Sequence, residues 1–301
     1  MAVYSIRDLE KLCGIKAHTI RIWEQRHGII VPKRTSTNIR YYQDEDLKLL
    51  LNVALLNRNG YKISKIAKMS KGEISAKVAA ISEVNLEYDT QLDALTLSMI
   101  EMDEYKFDRI INTNIQQLGF ERTVLEVLHP FLDKLSILWL TGSINPVQEN
   151  FISYLIRQKI IAAIDREPFA VGGNVKRFLI YLPEGETQEL SLLLLHYLLK
   201  ARRHQVIYLG INISLSDLKD AYKIHQPDYV YTMVNEPFDR HPLQHYVDEL
   251  SGALEKSHLL LSGYQIVAQN VRPSKNVSIL QSLEETIRYI DGLKTGAVSD
   301  T

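Results

Sequence analysis

The sequence predicts a chain that is mainly α followed by α/β: a small helical head with a β-hairpin wing, a four-helix bundle, and a doubly wound five-stranded parallel sheet. Three observations carry this. Residues 1–80 are basic and break into short helical stretches at tight-turn residues, residues 85–167 keep a helical apolar period throughout, and beyond Gly172-Gly173 strand-like and helix-like stretches alternate.

The 301 residues hold 35 Lys+Arg and 36 Asp+Glu, a formal net charge of -1. That neutrality is a cancellation. Fifteen basic against seven acidic side chains give residues 1–80 a net +8, and the remaining twenty against twenty-nine give the rest -9. Such a split is that of a polyanion-binding head on an acidic body. With 46% hydrophobic and 24% charged residues, the chain can bury a core and is neither disordered nor collagen-like. The single cysteine, Cys13, excludes an internal disulfide framework and a cysteine-rich zinc site. The longest apolar run, Leu190 to Leu199, is interrupted by Ser191 and His196 and is too short to span a bilayer. Charged residues from Arg7 onward leave no secretory apolar segment. The expectation is a cytoplasmic protein with no membrane partner.

Taken in order, Ser5 with Asp8 has the pattern of a capping box, Gly14 can close the first helix, and a second runs from about Lys16 to Arg26. The polar, basic stretch from Pro32 to Asn38 leads into Arg40-Tyr41-Tyr42, which suits a hairpin wing. Asp44 then reads as the cap of a helix carrying Leu47, Leu50, Leu51 and Ala54, and another helix begins near Ser64. In the bundle, helices fall near 90–101, 104–118, 121–139 and 146–165, with apolar stripes Leu92, Leu95, Met99, Met102 and Leu125, Leu128, Leu132, Leu135. His129-Pro130 reads as a helix-end kink. The strands are Arg177–Leu182, Gln205–Leu209, Tyr229–Val234, Leu259–Leu261 and Val277–Ile279, and a last helix lies near Leu283–Leu293. The expected domains are 1–80, 85–168 and 174–296. Ligands on such sheets sit outside the carboxyl ends of the strands, so Pro183–Ser191 and Gly263–Gln265 are the segments of interest.

On the second helix, Ile20 and Trp23 can point inward while His18, Arg21 and Gln25 share another face. A helix of this kind can lie in a major groove, and Lys33, Arg34 and Arg40 beside two tyrosines offer a second surface for phosphates. A small solvated helical domain carries similar charges. The whole string from Tyr4 to Leu50, with Thr19-Ile20-Arg21-Ile22-Trp23-Glu24, Pro32-Lys33-Arg34-Thr35, Arg40-Tyr41-Tyr42 and Asp46-Leu47, resembles the winged helix-turn-helix head of MerR-type transcription regulators. The resemblance implies double-stranded operator DNA as partner and a self-associated chain. Lys16, His18, Thr19 and Arg21 would face the groove, and Lys33, Arg34, Arg40 and Tyr41 the backbone. Asn38-Ile39 stands where a Gly-aromatic pair is common, and Asn can adopt the left-handed turn conformation.

The order of head, bundle and sheet also resembles the light- and cobalamin-responsive MerR-type repressors. Their bundle has a tryptophan followed by a Glu-His pair, and their sheet an ExHxxG loop whose histidine ligates cobalt. Here Trp139 and Glu149 match but Asn150 stands at the histidine position; Glu186 matches but Gln188 replaces the ligand histidine and Ser191 the glycine. Ser262 and Gly263 stand where a Gly-Gly pair surrounds the nucleotide tail. Carboxamide nitrogen is scarcely basic, so Gln is a poor ligand for transition metals. The expectation is a retained fold without cobalamin held through a protein histidine, no cofactor, and a body that oligomerises or binds a protein or another small effector. Cobalamin coordinated by its own base is the alternative. On the bland reading Trp139 is bundle core, and Asn150 and Gln188 are polar surface.

An enzyme is the third reading. No GxGxxG or phosphate-binding GxxxxGK[ST] follows a strand, Pro242 separates His241 from the helix that would carry His245, and Glu184 and Glu186 lack a nucleophile. The chain is read as a non-enzyme.

Overall fold

The computed structural model describes residues 3–34, 38, 40–84, 88–140, 144–172, 175–236 and 242–293, and of 3, 44, 79–84, 88 and 136–140 the backbone only. It divides into two compact units, Met1–Ile156 and Arg157–Thr301.

In the first unit, α1 (Ile6–Cys13) starts at the expected capping box: Ser5 N donates to the Asp8 carboxylate at 2.8 Å, and Asp8 N donates to Ser5 Oγ at 3.3 Å. Gly14, at φ 67°, ends it, and α2 (Ala17–His27) follows. Strands β1 (Val3–Tyr4), β2 (Lys33–Arg34) and β3 (Arg40–Gln43) form an antiparallel sheet in the order β1-β3-β2, with Arg34 opposite Arg40 and Tyr4 opposite Tyr42. Asn38 takes the left-handed conformation, φ 65°. The next helix, α3 (Asp44–Arg58), is capped differently from the sequence reading. Gln43 is the cap residue, its N–H donating to the Asp46 carboxylate at 2.9 Å, and Asp44 is the first helical residue. The short α4 (Ile63–Ile66) and α5 (Lys71–Val84) complete this segment.

Then come α6 (Tyr88–Glu101), α7 (Glu104–Leu118), α8 (Phe120–Thr123), a π-helical turn (Val124–Leu128), α9 (His129–Leu140) and α10 (Pro146–Arg166). Sequence periodicity places one apolar stripe on α6, whereas every residue from Thr90 to Ile100 is buried. The reason is that α6 packs on α3 as well as on its bundle neighbours, so no face is left for solvent. Its polar groups are satisfied within the core: Thr96 Oγ1 donates to Leu92 O, Ser98 Oγ to Leu95 O, and Gln91 accepts from Asn114. Met102 leaves the expected stripe, half-exposed in the turn after α6 at φ 51°. The second stripe is also displaced. Val124, Val127, Leu128, Phe131 and Leu135 are buried while Leu125 and Leu132 are only half-buried, because the π turn adds a residue and shifts the phase. His129-Pro130 does not end a helix. The His129 N–H reaches back to Val124 O, five residues earlier, and the wider turn lets the helical path continue past the proline to Leu140.

The second unit holds β4 (Arg177–Pro183), α11 (Glu189–Ala201), β5 (Gln205–Ile213), α12 (Leu215–His225), β6 (Tyr229–Met233), α13 (Leu243–Ala253), β7 (His258–Ser262), α14 (Tyr264–Ala268), β8 (Val277–Leu280) and α15 (Leu283–Gly292). All pairings are parallel, in the order β5-β4-β6-β7-β8. This is the doubly wound sheet the alternation predicts, with its switch point between β4 and β6. Leu179, Tyr181, Val230, Leu259 and Leu261 pack on one face against Leu218, Leu243, Val247 and Leu250 of α12 and α13. Alternation sends Phe178 and Tyr231 to the other face, where Phe178 stacks on Tyr229 at 4.8 Å and Tyr229 meets Tyr289 of α15. β5 runs four residues beyond the expected end, kinked at Gly210 (φ 88°) and Asn212 (φ 60°), as edge strands often are.

Candidate nucleic-acid interface and sensory residues

The sequence of α2 fixes its orientation. Ile20 is fully buried and Trp23 6% exposed, which turns Lys16, His18, Arg21 and Gln25 outward and leaves Thr19 half-buried. Lys16 pairs with Glu10 of α1 at 3.1 Å, and this contact is the main cause of the lowered pKa of the Glu10 carboxyl. In the wing, Lys33 and Arg34 are exposed and Arg40 and Tyr41 half-buried. Arg34 Nη1 turns back to Asn38 Oδ1 at 2.8 Å, and Lys33 Nζ donates to Gln43 Oε1, so both side chains brace the hairpin they project from.

Helix and wing are joined by a residue the sequence reading did not assign. The carboxylate of Glu24, on α2, accepts a hydrogen bond from Tyr42 Oη and lies 4.0 Å from Arg40 Nε. Burial first, and then this bond, push the Tyr42 phenol pKa far up. Arg40 is therefore partly spent on an internal contact. Lys62, Lys65 and Lys68 were also unassigned beyond the charge count. They are exposed on and around α4, which packs against α2, and extend the basic surface. Their signal in the sequence was the i, i+3 spacing of three lysines.

Beneath the head, Arg58 of α3 donates to Cys13 O at the end of α1 and to the Asp93 carboxylate of α6; Lys134 of α9 lies 3.7 Å from the other Asp93 oxygen. One buried carboxylate thus ties α3 and α9 to α6, and Arg58 adds the end of α1.

The residues expected at the sensory pocket fall in both units. In the first, Trp139 lies on α9 with its side chain outside the described residues, Glu149 is half-buried and Asn150 exposed on α10. In the second, Gln188 is the N-cap residue of α11, and Gln188 and Ser191 are exposed. Glu186 is buried, 3% exposed, and one oxygen accepts from the backbone N–H groups of Asn235 and Glu236 at 2.7 and 2.8 Å across the switch point. Burial is the main cause raising its pKa. Asn235 Oδ1 in turn accepts from Tyr264 N at 2.9 Å. Three loops at the carboxyl edge are therefore laced together. Ser262 is buried with its hydroxyl 2.6 Å from Tyr231 Oη, and Gly263, at φ 108°, lies against the Val234 backbone.

For the enzyme reading, Glu184 is exposed and Glu186 is engaged by amides, His245 is exposed on α13, and His241 lies outside the described residues. Among the described residues no group of three or more His, Cys, Asp or Glu is placed to hold a metal, and no helix is long and apolar enough to cross a membrane.

Residues 4–73 match the model of the MerR HTH family regulatory protein. The HTH-type transcriptional regulator ZntR homolog of Haemophilus influenzae is 31% identical over 97 residues, covering 71% of that protein and 32% of this chain. The chain belongs to the MerR family. Residues 91–163 of this MerR-family chain, which run from α6 into α10, match the model of a B12 binding domain. The HTH-type transcriptional repressor CarH of Myxococcus xanthus is 25% identical over 234 residues, 75% of this chain and 77% of that protein. The repressor CarA of the same organism is 26% identical over 227 residues, 75% and 74% of the two chains.

Proposed function

We propose that this MerR-family chain is a DNA-binding transcription regulator that reads a duplex operator with α2 in the major groove and holds the phosphates with the wing. The observation that carries this is the outward row Lys16, His18 and Arg21 on a helix locked to the wing through Glu24 and Tyr42. Thr19, Lys33, Arg34, Arg40 and Tyr41 complete the contact surface, with Lys62 and Lys65 beside them. Residues 1–80 act as the head, 85–168 as the bundle and 174–296 as the sensory body. The chain works in the cytoplasm as a dimer or higher oligomer, since a lone small head makes few contacts and paired heads match a palindromic operator. Mixing the purified protein with DNA from its own upstream region at low salt gives a shifted complex; absence of any shift overturns the reading.

The residues of the second unit do not fit a corrinoid ligated by a protein histidine. Gln188 offers an exposed carboxamide at the loop position, the Ser262 hydroxyl is taken by Tyr231, and Tyr264 follows Gly263. We therefore read the site as degenerate and the effector as a protein or another small molecule. The match of residues 91–163 to a B12 binding domain favours a second reading, in which cobalamin binds with its own base as ligand. Incubation with adenosylcobalamin or methylcobalamin followed by gel filtration separates them. Visible absorbance travelling with the protein refutes the degenerate site, and its absence refutes the second reading.

A further inference from the structure

One cavity, lying within the first unit, belongs neither to the DNA face nor to the sheet edge. It has a volume of about 380 Å³ and opens between the start of α3, the α6–α7 turn and the first turn of α10. That size suits a small organic molecule. Ile100, Met102 and Val147 give it an apolar wall, with Met102 44% and Val147 60% exposed. Met102 sits there at φ 51°, a conformation that residues other than glycine rarely take and that concentrates at functional sites.

The polar side of the cavity has a sign. Lys48 pairs with Glu45 at 3.6 Å, but the Lys48 side chain is 30% exposed and that of Glu45 74%. Glu45 lines the cavity too, but of the two charges the ammonium is the less screened by water. Gln148 is 5% exposed, and its side-chain N–H group has a 3.4 Å contact to Ile100 O, longer than an ordinary hydrogen bond. A buried donor held so weakly is better satisfied by a ligand oxygen.

We propose that this cavity binds a small organic anion with an apolar body, its carboxylate between Lys48 Nζ and Gln148 Nε2 and its hydrocarbon against Ile100, Met102 and Val147. Gln43 also lines the cavity and accepts the Lys33 ammonium at the base of the wing. Resting on the DNA-binding reading, occupancy therefore acts on operator affinity through the wing.

The test uses the full chain with hexanoate, hexanamide and hexylammonium, followed by calorimetry. Hexanoate binds saturably, hexanamide about tenfold more weakly, and hexylammonium not at all. Lys48→Met weakens hexanoate about tenfold. Val147→Trp fills the cavity from an exposed position and abolishes binding with an unchanged circular dichroism spectrum. No saturable hexanoate binding, or undiminished binding by both variants, overturns the site. Operator titration with and without saturating hexanoate tests the link to the wing: a shift in affinity supports it, and unchanged affinity with hexanoate bound refutes it. Failure of the protein to bind DNA without hexanoate counts instead against the regulator reading.

Discussion

Tyr42 on the last wing strand and Glu24 on α2 are eighteen residues apart in sequence and 2.5 Å apart in space, phenol to carboxylate. This bond ties α2 to the hairpin wing, the two elements proposed to meet DNA. Tyr42 is fully buried and the Glu24 side chain 6% exposed, so neither group has water as a substitute. Tyr42→Phe leaves the carboxylate with Arg40 at 4.0 Å and should cost about 1–3 kcal/mol. Urea unfolding of variant and parent checks this; an unchanged midpoint contradicts it.

Arg21 is exposed on α2 and Lys33 on the wing, and they should fail differently. Arg21→Ala should lose about 1–3 kcal/mol of operator affinity and relax preference at one base position. Lys33→Ala should weaken all duplexes alike and reduce the salt slope by about one ion. Fluorescence anisotropy against operator and scrambled duplexes at several salt concentrations reads both. Equal binding by parent and both variants contradicts the assigned face.

Asp93 is the carboxylate that Arg58 and Lys134 share, with the Asp89 charge acting on Lys134 as a smaller influence. Asp93→Asn leaves two cations facing each other under the head and should cost about 3–5 kcal/mol. Lys134→Met keeps the Arg58 contact and should cost much less. A smaller loss for Asp93→Asn than for Lys134→Met by urea unfolding contradicts the arrangement.

His196 stacks on Tyr208 at 5.2 Å, and burial, with Lys200 adding, holds its pKa down at about 4. A histidine neutral in the folded state and titrating at 6.5 when unfolded contributes stability that is complete above that value. It is lost as pH falls toward 4. Allowing for the solvent that reaches the ring, the loss is about 2 kcal/mol. His196→Phe keeps the stack and should flatten the stability profile between these pH values relative to the parent; a parallel profile contradicts the assignment.

Gly263 leaves no room for a side chain. A Cβ there would sit 2.7 Å from the Val234 backbone nitrogen and carbonyl carbon, at a φ of 108° that L side chains avoid. Gly263→Ala should lower the melting temperature of the second unit by several degrees, at a cost of about 3 kcal/mol. Wild-type melting contradicts the close approach.

Much of this was legible in the chain. The Ser5-Asp8 capping box, the left-handed Asn38, the inward Ile20 and Trp23 and all five strands follow from local chemistry. The misreadings have two causes. The stripe on α6 assumes that one face meets water, the stripe after Leu125 assumes an unbroken 3.6 period, and the reading of His129-Pro130 as a helix-end kink assumes no wider turn before it. Each was overruled by neighbours distant in sequence or by the π turn. Gly263 illustrates the same limit at the candidate pocket, because the loop it fits against, at Val234, lies 29 residues earlier.

By itself the sequence determined the class of each segment, the sign of its charge and the family, because helix period, strand alternation and turn residues are properties of neighbours along the chain. Only the tertiary structure decided which charges are available. Arg40 leans on Glu24 and Arg58 is held by Asp93, while Lys62 and Lys65 stand in solvent. A side chain's pairing depends on what other elements bring within a few ångströms, where the Coulomb and desolvation terms act.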